Sequence, residues 1–213
     1  MEAGHEWRDN RHGGMDRVWL VRHGRPAATW GGADPDPGLD ETGRVQAQAA
    51  CDALLALPPG ARPGRAISSP VRRCRETAAP FSAAIGGPLQ IDPAVAEIPT
   101  PPGVNGEARP SWLRGAMTGH WAGIEGGPDY LAWREAVVAA LVRSGGAAVF
   151  THYVAINAAV SSALGDLRVL VLQPDHASIT SLDIVDGGLR VHELGREATT
   201  RVLLLPELGG CTF

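Results

Sequence analysis

The sequence predicts an α/β protein, a three-layer α/β/α sandwich around a mostly parallel sheet with one antiparallel edge. Short all-apolar runs at residues 18–21 and 147–150 are typical of strands that are covered on both faces. Each run leads into a segment with apolar residues at helical spacing. Strand-like runs at 178–185 and 189–194 flank an Asp186-Gly187-Gly188 turn, which indicates the antiparallel edge.

The first half of the chain twice repeats the order strand, loop, helix. After the first strand, apolar residues recur at helical spacing over 45–57, where a Pro/Gly cluster ends the helix. A second strand is predicted at 65–68. Ser69 is then a good N-cap and Pro70 suits the first helical position, so we expect a helix from there to about Ala84.

The second half contains a long irregular excursion. Residues 98–130, the lid segment, are rich in Pro and Gly, and we expect only a short helix near 111–117. Helices are predicted over 128–143 and 154–164, on either side of the strand at 147–150. The lid segment is expected to pass over the functional site.

Length favours one domain, which we place at residues 17–205. A flexible polar leader (1–16) is expected before it and a short tail (206–213) after it. The leader lacks the apolar run of a signal peptide, and no stretch reaches about 18 apolar residues. The three cysteines are far apart and have no metal or redox spacing. These features predict a cytoplasmic protein without a membrane partner.

Charge excludes several function classes. The net charge is −4 and the pI is about 6.0, which argues against a general nucleic-acid binder. All 19 basic residues are arginine. Without lysine the chain cannot form a lysine Schiff base or a Walker-type phosphate loop.

Two histidines follow apolar strands directly. One residue separates His23 from the run at 18–21, and one residue separates His152 from the run at 147–150. Because the carboxyl ends of parallel strands share one edge of a sheet, both side chains could meet one ligand there. A second Arg-His-Gly at 11–13 lies in the polar leader with no strand before it, so we discard it.

Three arginines crowd the first turns of the helix predicted after residue 68. Arg72, Arg73 and Arg75 oppose the helix macrodipole by roughly 0.3–1 kcal/mol each. We expect Arg72 and Arg75 to reach solvent. For one of the three, a phosphate held by its guanidinium and by helix N-terminal amides is the better explanation.

At this point the chain resembles the histidine phosphatases, the phosphoglycerate-mutase-like superfamily. Val-Arg-His-Gly at 21–24 is similar to the family signature, and residues 68–78 resemble its second arginine motif, which aligns Arg73 with the phosphate ligand. The segment 92–97 resembles the one with the acidic residue, and Phe-Thr-His at 150–152 resembles the one with the second histidine. Segments 39–46 and 176–182 also resemble family segments.

The resemblance implies a phosphohistidine mechanism without a metal or cofactor. His23 attacks phosphorus as a neutral imidazole. Arg22 and Arg73 bind the phosphoryl group and lower the pKa of His23 by like-charge repulsion. His152 hydrogen-bonds the phosphoryl oxygens, and Glu97 protonates the leaving oxygen.

Departures from the family pattern limit the match. Many relatives place Asn seven residues after the first arginine, where this chain has Thr29, and Gly after the second histidine, where it has Tyr153. The acidic insert of cofactor-dependent mutases is replaced by Ile-Pro-Thr-Pro-Pro at 98–102. A phosphatase of a small phosphorylated metabolite is therefore the leading hypothesis.

Three alternatives stay open. A cofactor-dependent phosphoglycerate-type mutase ranks second. A protein phosphohistidine phosphatase ranks third, because those relatives are shorter and have minimal lids. A non-catalytic sensor of a phosphorylated ligand ranks last, because the five site residues are all present. A homodimer is possible, since dimers occur among relatives.

The lid segment is expected to choose the substrate. The aromatic and basic side chains that we expect to contact it are Trp112, Arg114, His120 and Trp121. The other histidines have no metal-ligand spacing and are expected to be structural or exposed; they are His5, His12, His176 and His192.

Overall fold

The computed structural model describes residues 16–28 and 34–198. The predicted leader, except for residue 16, and the predicted tail lie outside this part, as do Thr29 and the first Arg-His-Gly. The strands are β1 (Arg17–Arg22), β2 (Arg65–Ser68), β3 (Leu89–Ile91), β4 (Ala147–Thr151), β5 (Ile179–Val185) and β6 (Gly188–Glu193). The α-helices are α1 (Glu41–Leu55), α2 (Arg72–Ala84), α3 (Arg109–Met117), α4 (Tyr130–Val142) and α5 (Tyr153–Ala163).

The strands form one mixed sheet in the order β3-β2-β4-β1-β5-β6. β3, β2, β4 and β1 are mutually parallel, whereas β5 is antiparallel to β1 and β6 is antiparallel to β5. Asp186 and Gly187 join β5 to β6 with positive φ angles of 49° and 76°, as a two-residue hairpin turn requires. The predicted α/β architecture with an antiparallel edge is confirmed.

Helices cover both faces of the sheet. Trp19, Val21 and Phe150 pack on one face with apolar residues of α1 and α2. Val18 and Leu20 point to the other face, where α3, α4 and α5 complete the larger core cluster. Successive residues of β1 therefore serve opposite cores, which explains why this strand is apolar throughout rather than alternating.

The start of α2 differs from the prediction. The N-cap position is Val71 rather than Ser69, and Val71 has no side-chain acceptor. The carboxylate of Asp36 accepts the free N–H of Arg72 instead, at 2.9 and 3.1 Å. An anion from a distant loop thus caps the helix and offsets its crowded cations.

Strand β3 was not predicted. It has only three residues, Leu89–Ile91, at the edge of the sheet, and Gln90 and Ile91 are exposed. It therefore has no buried apolar run. The lid segment contains α3 and a short 3-10 helix at Trp121–Gly123. Within the described ranges, no helix is long and apolar enough to span a membrane.

Candidate active site

His23 and His152 lie side by side at the carboxyl edge of the sheet. β1 ends at Arg22 and β4 at Thr151, and these two residues are partners in the parallel register. The backbone N–H of His23 donates to the Thr151 carbonyl at 3.0 Å. The two imidazole ring centroids are 5.4 Å apart. The convergence predicted from the two strand ends is confirmed.

The loop after β1 holds the His23 ring in one orientation. Nδ1–H of His23 donates to the Gly24 carbonyl at 2.8 Å, which leaves Nε2 as the nitrogen with the lone pair. The Gly24 N–H donates to Thr77 Oγ1 on α2 at 3.0 Å. A Cβ at Gly24 would come within 2.6 Å of the Gly43 carbonyl oxygen in α1, so only glycine fits this close approach.

Arg22 and Arg73 flank the histidine pair. Arg22 Nη1 donates to the Pro174 carbonyl at 2.8 Å, and its guanidinium carbon lies 5.0 Å from the centroid of the Tyr153 ring. Arg73 Nη2 lies 3.2 Å from His152 Nδ1. The Nε atoms of both arginines are buried and have no hydrogen-bond partner among the described residues. Each guanidinium therefore keeps one donor that the described residues do not satisfy.

The neighbouring arginines of α2 point away. Arg72 and Arg75 are exposed, and Arg72 Nε pairs with Glu76 at 2.6 Å. The structure brings only Arg73 of the three to the histidines, in agreement with the expectation that the other two reach solvent.

Glu97 joins the site from the loop after β3. Its Oε1 accepts the backbone N–H groups of Ile98 and Val154, both at 3.1 Å, and Val154 lies two residues beyond His152. Burial raises the pKa of Glu97, while the Ile98 N–H, Arg109, Arg73 and the Val154 N–H oppose the shift. The structure therefore places all five predicted residues together.

Both histidines favour the neutral form. Burial lowers the pKa of His23 well below its ordinary value, and His152, Arg73 and Arg22 lower it further. Burial also lowers the pKa of His152, with Arg73, Arg109 and Arg22 adding to the effect. The like-charge repulsion expected from the sequence is present, but desolvation is the larger cause.

Three residues near the site were not predicted to belong to it. His176 Nδ1–H donates to the His23 carbonyl at 3.1 Å, and the two rings are 5.6 Å apart. Ser69 Oγ lies 2.8 Å from His152 Nε2. Arg109, at the start of α3, acts electrostatically on Glu97 and His152. His176 and Ser69 lie in the segments 176–182 and 68–78 that resemble the family, which was the signal available for them; no sequence pattern pointed to Arg109.

The four lid residues occupy different environments. Trp121 is 1% exposed, its Nε1–H donates to Ser161 Oγ of α5 at 3.0 Å, and it packs in the larger core cluster of the domain. Trp112 and His120 line an open groove of about 330 Å³. Arg114 is exposed in the last turn of α3.

The side chains that meet at the site are two guanidinium groups, imidazole rings and one carboxyl group. Across residues 16–28 and 34–198, no group of three or more His, Cys, Asp or Glu side chains is arranged to hold a metal ion.

Comparison with known proteins agrees with this geometry. The Histidine phosphatase superfamily (branch 1) matches residues 18–197. No curated protein sequence matches the chain.

Solved structures share the fold. A mycobacterial glucosyl-3-phosphoglycerate phosphatase has a TM-score of 0.63 at 24% identity, over 86% of this chain and 100% of that one. Phosphoserine phosphatase from Entamoeba histolytica, solved with 3-phosphoglyceric acid, has a TM-score of 0.66 at 16% identity, over 88% and 99%. A protein titled mycobacterial hydrolase 1 has a TM-score of 0.61 at 23% identity, over 86% and 100%. The family match spans most of the chain and includes every strand that builds the site; this protein belongs to the histidine phosphatase superfamily, branch 1.

Proposed function

We propose that this histidine phosphatase hydrolyses a small phosphomonoester, without a metal, through a phosphohistidine intermediate on His23. The observation that carries the proposal is the buried cluster in which Arg22, Arg73 and His152 lie around His23, with Glu97 beside them. The two arginines bring positive charge and hydrogen-bond donors to this cluster. A phosphoryl group has three oxygens that accept such bonds and a charge that offsets both cations.

His23 has the properties of a nucleophile. Its Nδ1–H is committed to the Gly24 carbonyl, so the Nε2 lone pair is free to attack phosphorus. The lowered pKa keeps the ring neutral near pH 7, because burial and the surrounding cations disfavour imidazolium.

The reaction then has two balanced steps. In the first, a bond forms between His23 Nε2 and phosphorus while the bond from phosphorus to the leaving oxygen breaks, and protonated Glu97 gives that oxygen its proton. In the second, water attacks phosphorus and transfers a proton to the Glu97 carboxylate. The N–P bond breaks, inorganic phosphate leaves, and Glu97 is again protonated.

The two arginines and His152 stabilise the negative charge that develops on the phosphoryl oxygens in the transition state. Arg22, Arg73 and His152 are positioned by buried contacts before any substrate binds, so they need little reorganisation during transfer. The raised pKa of Glu97 keeps part of the carboxyl population protonated at higher pH than a free glutamate.

Phosphatase chemistry is favoured over mutase chemistry. Two of the solved structures with this fold that are named above are phosphatases by name, which supports hydrolysis. The segment after Glu97 has Ile-Pro-Thr-Pro-Pro at 98–102, where cofactor-dependent mutases carry an acidic insert.

We assign substrate choice to the lid segment. Trp112, Arg114 and His120 are partly or fully exposed and could contact a bound metabolite, whereas Trp121 is buried. We also propose a cytosolic location, since Cys51 and Cys74 are free and buried, without a disulfide in the described ranges.

The first test is hydrolysis of p-nitrophenyl phosphate with EDTA present, from mildly acidic to neutral pH. We expect the wild type to turn over and His23→Ala to lose activity. His192→Ala, which removes a histidine from edge strand β6, is the matched control and should keep wild-type activity. Intact-mass analysis of the wild type quenched during turnover should show one added phosphoryl group, absent from His23→Ala.

Each other result has a defined meaning. Equal activity in the wild type and His23→Ala removes His23 from the mechanism. Loss of activity with EDTA removes the metal-independent reaction. No hydrolysis by folded wild type, together with phosphoryl exchange that depends on 2,3-bisphosphoglycerate, identifies a mutase.

A further inference from the structure

Ser69 and His152 form a buried hydrogen-bonded pair beside the phosphoryl site. Ser69 Oγ lies 2.8 Å from His152 Nε2, and both residues are 0% exposed. The Ser69 backbone N–H donates to the Phe150 carbonyl at 3.0 Å. Because β2 and β4 are parallel neighbours, this bond sets the serine next to the histidine that follows β4. The mechanism described above gives this hydroxyl no role.

The other ring nitrogen of His152 faces a cation. Arg73 Nη2 lies 3.2 Å from Nδ1, and a guanidinium can only donate, so Nδ1 must accept in this arrangement. A neutral imidazole carries one N–H, so that proton is on Nε2 and donates to Ser69 Oγ. Cys74 Sγ also approaches Nε2, at 3.3 Å, but a thiol is a weak partner.

When phosphate binds, Nδ1 of His152 has to donate a hydrogen bond instead of accepting one. Because Nε2 is committed to Ser69, Nδ1 is the ring nitrogen that is left to hydrogen-bond a phosphoryl oxygen in the proposed function, and it must then carry a proton. The ring is then either the Nδ1–H tautomer, with Nε2 as an acceptor, or imidazolium, with Nε2–H as a donor. A serine hydroxyl can donate or accept by rotating, so Ser69 fits every one of these states. Alanine fits none of them.

We propose that Ser69 is a positioning residue for phosphoryl transfer: its hydroxyl holds the His152 ring with Nδ1 toward the phosphoryl group and follows the ring's change of protonation on binding. The inference rests on the proposed function, because it needs His152 to contact phosphate. The role reaches the substrate through His152 alone.

Charged and titratable groups surround the pair on several sides. Arg73 and Cys74 face the ring from α2, and Arg22 and His23 face it from the end of β1. Arg109 on α3 helps to lower the pKa of His152. Glu97 accepts the backbone N–H of Val154, two residues beyond His152. Ser69 has no titratable group, so its replacement by alanine changes no charge, and an altered pH profile reports on how the ring is held.

The test compares Ser69→Ala with Ser68→Ala. Ser68 is also 0% exposed at the end of β2, but its hydroxyl donates to the Ser69 carbonyl and does not touch His152. We expect Ser69→Ala to lower kcat/KM about 10- to 100-fold, the range found when partners that orient a metal-ligating histidine are removed. Its pH profile should shift, and Ser68→Ala should keep the wild-type profile.

The ¹⁵N chemical shifts of the His152 ring report the protonation of each ring nitrogen, which a merely structural role of Ser69 would leave unchanged. In the unliganded wild type we expect Nε2 to be protonated and Nδ1 to be unprotonated. Saturation with inorganic phosphate should protonate Nδ1. Ser69→Ala should weaken or abolish this change, and a His152→Asn variant assigns the signals.

Several results overturn the inference. They are wild-type kcat/KM in Ser69→Ala, an equal loss in Ser68→Ala, and a wild-type Nδ1 that is protonated without phosphate or unprotonated with it. If Ser69→Ala does not fold, the wild-type spectra still decide. An inactive wild type overturns the proposed function, whereas an active wild type with an equally active Ser69→Ala overturns only the role of Ser69.

Discussion

The Glu97 carboxylate accepts the backbone N–H of Val154 at 3.1 Å, which ties the loop after β3 to the first turn of α5. His152 is the N-cap residue of that same helix. The acid proposed for the leaving group and the histidine proposed to bind phosphate are therefore held by one helix terminus. Burial raises the pKa of Glu97 despite this hydrogen bond, so the proton is retained to higher pH than in a free glutamate.

A bell-shaped pH dependence of kcat/KM follows from these shifts. Activity falls at low pH when His23 becomes protonated, and its lowered pKa extends the active range toward acid. Activity falls at higher pH when Glu97 loses its proton, and its raised pKa moves that limb upward. Glu97→Gln should remove the alkaline limb.

The size of the Glu97→Gln effect should depend on the leaving group. We expect a loss in kcat of about 10²- to 10⁴-fold with an alkyl phosphate, whose alkoxide needs the proton. The loss should be smaller with p-nitrophenyl phosphate, whose phenolate leaves without one. Glu135→Gln, which changes an exposed carboxylate of α4 outside the lid segment, is the control. Equal losses for both substrates would contradict the acid role.

The substitution Arg73→Lys should strongly reduce kcat/KM. Lysine keeps the charge but loses the planar fork of donors, so the contact with His152 and the paired donors for a phosphoryl group are lost. We expect kcat/KM to fall by about 10²- to 10³-fold, the cost of losing a preorganised transition-state donor. Arg75→Lys, exposed one position beyond Cys74, should match the wild type in the same steady-state assay. Comparable losses in both variants would mean that the effect is on α2 as a whole.

Tyr153 should contribute to phosphate affinity through Arg22. The guanidinium lies 5.0 Å from the ring centroid, a cation–π geometry worth about 0.5–2 kcal/mol. Inhibition constants for inorganic phosphate should therefore rise about 2- to 30-fold in Tyr153→Ala. Tyr153→Phe keeps the ring and should keep most of the affinity. If Tyr153→Phe weakens binding as much as Tyr153→Ala, the hydroxyl rather than the ring is responsible.

Asp36 should stabilise the fold by capping α2. Its carboxylate accepts the Arg72 N–H at 2.9 and 3.1 Å, where Val71 offers no acceptor of its own. In urea titrations, Asp36→Ala should lower the free energy of unfolding by about 1 kcal/mol. Asp36→Asn keeps an acceptor but loses the charge that favours a helix N-terminus, so its loss should be smaller. An unchanged urea midpoint in Asp36→Ala would show that solvent replaces this cap.

Much of the fold and the centre of the site could be predicted from local pattern. The apolar runs at 18–21 and 147–150, which end shortly before His23 and His152, indicate buried strands. The carboxyl ends of adjacent parallel strands must share one edge of the sheet. The hairpin turn at Asp186 and Gly187 likewise follows from residue types that tolerate positive φ.

The sequence by itself therefore determined the layer order and the pair of histidines, because hydrophobic periodicity is a local property, and the resemblance to the family selected Arg73 among three neighbouring arginines. Tertiary structure alone decided the contacts between distant segments. Ser69 became the partner of His152 rather than a helix cap, Asp36 became the cap, and Trp121 was packed into the core of the domain against α5. These outcomes depend on which backbone groups meet across strands and loops, and no spacing along the chain specifies that meeting.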